Sequence, residues 1–196
     1  MWMKVWRPVA VAVAAALPAT AGAQRQLEQR HTVEVYAAQY ALQSGFGIAK
    51  KDIGGFGLRY EFERFDPERP GRTLFDRTRG GVFATYTAKQ GSPDATTLHV
   101  GVQTDASMLP RPFLGAVDPF ISFGIGLFHT SQASVVTTTS RAKRISRTDF
   151  AFTPAVGTRL GVVNRAGVRL DLRTPFVFGL STTANFVAEG GLYVSF

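Results

Sequence analysis

The chain has 196 residues, which favours one domain, and no cysteine, which excludes a disulfide scaffold and thiolate metal sites. It carries 22 Lys+Arg against 14 Asp+Glu, a formal charge of +8. The basic residues are spread through the chain with one dense cluster, so the charge does not imply a nucleic-acid partner.

Residues 1–23 read as a secretory signal peptide. Lys4 and Arg7 supply the positive start, Val9 to Leu17 is an unbroken apolar run, and Pro18 ends it. Ala21-Gly22-Ala23 fits the small-x-small cleavage rule, which predicts cleavage before Gln24. The run is too short for a membrane span, which takes about 20 residues. Residues 24–196 then form the exported domain. It holds no long apolar helix, so it can enter a membrane only as a closed barrel.

After the polar lead-in 24–30, one pattern repeats: segments of about ten residues alternate with period two and are separated by turn residues. Eight are predicted. The first, His31 to Gln43, sets Val33, Val35, Ala37 and Ala41 against Glu34, Tyr36 and Tyr40. The second, Gly54 to Glu63, sets Phe56, Leu58, Tyr60 and Phe62 against Gly57, Arg59, Glu61 and Glu63. A long connection, Asp66 to Arg79, follows. The third, Gly80 to Lys89, places Val82, Ala84, Tyr86 and Ala88 on one face; Gly-Ser-Pro-Asp then marks a turn. The fourth, Thr97 to Met108, opposes Leu98, Val100 and Val102 to His99, Gln103 and Asp105.

The fifth, Pro119 to Thr130, alternates Ile121, Phe123, Ile125 and Leu127 with Ser122, Gly124 and Gly126. Ser131 to Arg147 reads as a long Ser/Thr-rich loop carrying Arg141, Lys143, Arg144 and Arg147. The sixth, Thr148 to Val163, turns Phe150, Phe152, Val156, Leu160 and Val162 away from Arg159. The seventh, Gly167 to Phe178, opposes Val168, Leu170, Leu172 and Phe176 to Arg169, Asp171 and Arg173; the eighth is Thr183 to Phe196.

The C-terminal stretch resembles the assembly signal of bacterial outer-membrane barrels, with Glu189, Gly191, Val194 and Phe196 in the signal's places. Alternation alone does not say which face is inside, since a soluble barrel or sandwich would bury the apolar one. Three features favour the membrane. The first is export together with this terminal signal. The second is Phe-rich apolar faces, with Tyr60, Tyr86 and Phe196 near strand ends as a girdle. The third is glycine on the polar faces (Gly57, Gly101, Gly124, Gly126, Gly157, Gly191), which suits a narrow interior. The expected fold is all-β: an eight-stranded antiparallel up-and-down transmembrane β-barrel.

The stretches GGFGLRYEF, VDPFISFGIGLF and GVRLDLRTPF resemble the second, fifth and seventh strands of the small OmpA/OmpX-like outer-membrane barrel superfamily. The resemblance covers nearly all of residues 24–196 and implies a bacterial outer-membrane location. Its motifs belong to an architecture more than to an activity. The chain is expected to lack the peptidoglycan-binding domain that OmpA carries after its barrel. One departure is the 66–79 connection, which topology makes a periplasmic turn, usually a short one.

The expected lumen set is Glu34, Arg59, Glu61, Glu63, Lys89, Asp105, Arg159, Arg169, Asp171, Arg173 and Glu189. Near-balance of sign implies mutual pairing, because buried charges persist only when paired. An eight-stranded barrel is just wide enough for side chains to fill it, so the network reads as a plug. The basic loop cluster offers itself to lipopolysaccharide phosphates or an acidic polymer.

The three histidines lack a spacing that gathers metal ligands, and no cofactor is expected. His129-Thr130-Ser131 has a weak likeness to the His-x-Ser of PagL-like lipid A deacylases, but Gln132 replaces that family's Asn and no acidic residue faces outward on the neighbouring strands. The expected role is therefore non-enzymatic: a monomeric envelope or surface-interaction protein in contact with outer-membrane lipid and the barrel assembly machinery. The alternatives are a lipid A hydrolase using His129 and Ser131, and a small channel or carrier of hydrophobic molecules.

Overall fold

The computed structural model describes residues 28–42, 51–65, 77–90, 95–109, 112–114, 116–135, 142–163, 165–179 and 182–196. The signal peptide 1–23, most of the 66–79 connection, Arg141, and the side chains of Lys89, Lys143 and Arg144 lie outside the described residues.

Alternating sequence becomes extended chain throughout. The segments are β1 (Glu28–Leu42), β2 (Lys51–Phe65), β3 (Thr78–Gln90), β4 (Ala95–Ser107) and β5 (Val117–Val135). They continue as β6 (Ala142–Val163), β7 (Ala166–Arg173), β8 (Phe176–Phe178), β9 (Thr183–Ala184) and β10 (Phe186–Ser195). β7 and β8 are one wall strand interrupted at Thr174-Pro175, and β9 and β10 are another interrupted at Asn185. All pairings are antiparallel. The sheet runs β5-β4-β3-β2-β1-β10-β7-β6, and β5 also pairs with β6, which closes an eight-stranded barrel.

Closure brings the first and last strands together. Thr32 lies opposite Ser195 and Val33 opposite Val194. The His31 and Phe196 backbones exchange two hydrogen bonds, at 3.0 and 2.9 Å. Full closure removes the open edges that a bilayer cannot hydrate.

The strands are longer than the alternation suggests, for a physical reason. β5 runs on to Val135 and β6 begins at Ala142, so the 131–147 stretch is mainly a paired hairpin rather than a loop. Both of its faces are largely polar, with Val135 and Ile145 interspersed, so the apolar–polar contrast that marks a wall strand is missing. β1 likewise begins at Glu28, inside the supposed lead-in.

Sidedness is unambiguous. Leu58 is 50% exposed and Leu172 64%, while their neighbours Arg59 and Arg173 are 1% and 2% exposed. Val35, Val82, Val102, Ile125, Val156 and Leu170 continue the apolar outer belt. The charged face is the interior.

Candidate functional site

The interior is layered along the barrel axis. At the end where β1 starts and β10 stops, Glu63 accepts from Arg79 at 3.0 Å and lies 3.4 Å from Arg77. Arg77 reaches Asp118 at 3.3 Å, and Asp118 also accepts from Ser107 at 3.2 Å. Arg77, Arg79 and Asp118 are additions to the expected set. Each sits at a strand margin, where periodicity is weakest as a signal.

The middle layer holds Arg59, Arg159, Arg169 and Arg173 against Glu34, Glu61, Asp105, Asp171 and Glu189. Arg59 binds Glu34 at 2.6 Å and Glu189 at 2.5 Å, with Asp171 at 3.5 Å. Arg169 bonds Glu61, contacts Asp105 and Asp171 at 2.8 Å each, and has Glu34 at 3.8 Å. Arg159 bonds Asp105 and reaches Glu61 at 3.1 Å. Arg173 contacts Glu189 at 2.9 Å and Asp171 at 3.2 Å, and donates to Gln103 at 2.7 Å. Every guanidinium thus serves more than one carboxylate, and most carboxylates bridge two guanidiniums. Such cross-linking is the condition under which buried ions are tolerated.

Aromatic rings support the cations. Arg59 lies over Tyr36 at 4.5 Å; Arg159 and Arg169 both lie over Phe120 at 4.3 Å; Arg173 lies over Phe83 at 5.2 Å. The weakly hydrated guanidinium plane suits a ring face. The lumen glycines make room for these rings. A Cβ on Gly57 would fall 2.3 Å from the Tyr36 ring, one on Gly157 2.6 Å from Phe120, and one on Gly101 3.0 Å from Phe83. Phe83 and Phe120 are therefore part of the network that sequence reasoning missed. The available signal was parity alone, since Phe120 shares its face with Ser122 and Gly124.

Towards the loop end the interior becomes apolar. Tyr36, Ala38, Tyr40, Leu42, Ile53, Phe128, Ala151, Val177 and Val187 form one buried cluster. Thr87 and Thr97 bond each other beside it at 2.9 Å. The ion layer is thus capped by packed side chains, and the described interior is ionic at one end and apolar at the other.

The remaining expected sites fall apart in space. Arg147 donates to Asp149 at 2.7 Å. His129 meets Thr148 at 2.8 Å, and Ser146 donates to Ser131 at 2.9 Å, so each has a hydroxyl partner across the hairpin. Among the described residues, no group of His, Cys, Asp or Glu is placed to hold a metal. In the assembly stretch, Glu189 and Gly191 face inward while Val194 and Phe196 face out, more than half exposed. Phe196 stacks on His31, which bonds Tyr60 at 2.7 Å, so the terminal ring completes an aromatic rung at the closure seam.

Comparison with solved structures agrees with this geometry. Neisserial surface protein A is 14% identical, with a TM-score of 0.54 over 85% of this chain and 95% of its own. Ail, the attachment invasion locus protein of Yersinia pestis, is 14% identical, with a TM-score of 0.58 over 86% and 99%. The chain has the fold of the small OmpA/OmpX-like outer-membrane β-barrels. A second structure of Ail, in complex with the heparin analogue sucrose octasulfate, matches with a TM-score of 0.56. No family model and no curated protein matches the chain. The barrel turns its apolar wall outward and keeps its ions inside.

Proposed function

We propose that this barrel is a non-enzymatic, monomeric envelope protein that acts at the cell surface through its loop end, with the lumen serving as a solid plug. The observation that carries the reading is the filled interior. A doubly bridged ion layer under a buried apolar cap leaves transport no path, so interaction is left to the outer surfaces. The assembly stretch Glu189, Gly191, Val194 and Phe196 delivers the chain to the barrel assembly machinery.

The β5–β6 hairpin is the prominent loop-end feature. β4 stops pairing at Ala95↔Gln132 and β8 at Phe178↔Phe150, yet β5 and β6 stay paired to Val135↔Ala142. The sequence there carries Arg141, Lys143, Arg144 and Arg147, with no acidic residue between Asp118 and Asp149. Clustered cations on a projecting hairpin suit anionic groups: lipopolysaccharide phosphates, or an acidic surface polymer. A sulfated polysaccharide is a natural first probe, since Ail was solved with a heparin analogue.

Planar-bilayer recording tests the plug. Silence is expected, and a steady open current would overturn it. Heparin retention tests the hairpin, with Arg141→Glu, Lys143→Glu and Arg144→Glu combined expected to abolish it. Retention only by lipopolysaccharide vesicles would assign the cations to lipid phosphate. Lipid A mass spectra of cells with and without His129→Ala test the enzyme reading, and a difference between them would refute the proposed role.

A further inference from the structure

The outer wall is not uniformly bulky. A groove of about 580 Å³ crosses it where β1, β10, β7 and β6 present small side chains outward: Ala41, Ala188, Thr174 and Pro154, with Gln39 beside them. Phe123, Leu172 and Phe186 rim it. Bulkier side chains stand outward on neighbouring parts of the belt, Val35, Val102, Ile125 and Leu170 among them.

The wall is also weakened there. Thr174 N–H donates to the Pro154 carbonyl and Asn185 N–H to the Pro175 carbonyl, both at 3.0 Å. In an antiparallel pair of this kind the partner returns a second bond from its own N–H. Proline has none, so the β6–β7 and β8–β9 ladders each lack a rung at adjacent positions. The groove reaches the backbone at Ala155, Arg173 and Val187, whose side chains point inward. Two polar side chains, the Gln39 amide and the Thr174 hydroxyl, line a surface that faces hydrocarbon, where polar groups without partners are costly.

We propose that this groove is a lipid site. It holds an acyl chain of a resident membrane lipid, with an ester or hydroxyl oxygen of that lipid set against Gln39 and Thr174. The volume lies within the range of sites that hold small ligands, about 300–1,000 Å³. The occupant is a lipid because lipid is what surrounds this face. A depression in the wall would otherwise leave its lining without dispersion partners. The weakened ladder lets the chain sit deeper than the annular lipids over the bulky belt. This site is independent of the surface role proposed above.

Native mass spectrometry of the full barrel, extracted from membranes in mild detergent, tests it. One retained lipid per barrel is expected. Ala188→Phe, which fills the floor, is expected to lower the lipid-bound fraction by about fivefold, equivalent to ~1 kcal/mol. Ala84→Phe, outward on the far wall, is expected to leave it unchanged. Heat-modifiable mobility checks that each variant folds. Should Ala188→Phe fail that check, Gln39→Leu with Thr174→Val keeps the volume and removes the polar contacts, and a fall in bound lipid is again expected. Absence of retained lipid in the wild type, equal retention in the filled or depolarised variant, or a retained mass matching only a free fatty acid would overturn the proposal.

Discussion

Arg169 is the cation on which the middle layer turns, and replacing it with Met measures whether the lumen is dry. Its guanidinium touches Glu61, Asp105 and Asp171, has Glu34 at 3.8 Å, and rests on Phe120 at 4.3 Å. Without it, the five carboxylates of the layer face three guanidiniums instead of four. Arg159 still covers Glu61 and Asp105, and Arg59 and Arg173 still cover Asp171, so the loss is partial for each carboxylate. Removing one member of a buried ion network costs about 3–5 kcal/mol. With a denaturant slope of about 2 kcal/mol per molar urea, the unfolding midpoint falls by roughly 2 M. The assay is urea unfolding of the barrel in lipid vesicles, followed by heat-modifiable mobility. Pairing Arg169→Met with Glu61→Leu removes opposite charges together, and much of the loss should return, because an apolar pair of similar volume often substitutes for a buried ion pair. A loss under about 1 kcal/mol for Arg169→Met alone, the worth of a solvated pair, would refute the reasoning and mean that water fills the lumen.

Other outcomes follow from the same geometry. Gly57→Ala drives a Cβ into the Tyr36 ring that supports Arg59, and destabilisation of about 1–3 kcal/mol is expected in the same urea assay. Leu170→Arg places a charge on the lipid face and should cost about 2–4 kcal/mol near the bilayer midplane, whereas Thr153→Val in the lumen should cost less; equal costs would contradict the assigned faces. Phe196→Ala removes the ring stacked on His31 at the closure seam. Pulse-labelled cells should then show slower appearance of the heat-modifiable form, and an unchanged rate would dissociate that ring from assembly.

Much of the wall was legible because lipid and lumen demand opposite chemistry on alternate residues. Leu58 beside Arg59 and Leu170 beside Arg169 announce both faces at once, and the structure keeps every one of those parities. The apolar cap was not legible for the converse reason. In Leu127-Phe128 and Phe176-Val177-Phe178 both faces are apolar, so sequence offers no contrast to say that Phe128 and Val177 point inward. The hairpin beyond Ser131 failed similarly, being largely polar on both faces. The partners of each arginine were beyond reach altogether. Pairs such as Arg59 with Glu189 and Arg169 with Glu61 span 130 and 108 residues and exist only because the sheet closes.

The assignment of faces can be read directly by fluorescence. The chain's two tryptophans, Trp2 and Trp6, both lie within the predicted leader, so a Trp placed in residues 24–196 reports alone once the leader is removed. Leu170→Trp and Phe128→Trp, each folded into vesicles of chain-brominated phospholipid, place that reporter on the wall and in the lumen. Strong quenching by the bromolipid at position 170, with neither bromolipid nor aqueous acrylamide quenching at position 128, is the expected result. Quenching of position 170 by acrylamide and not by bromolipid would contradict the account.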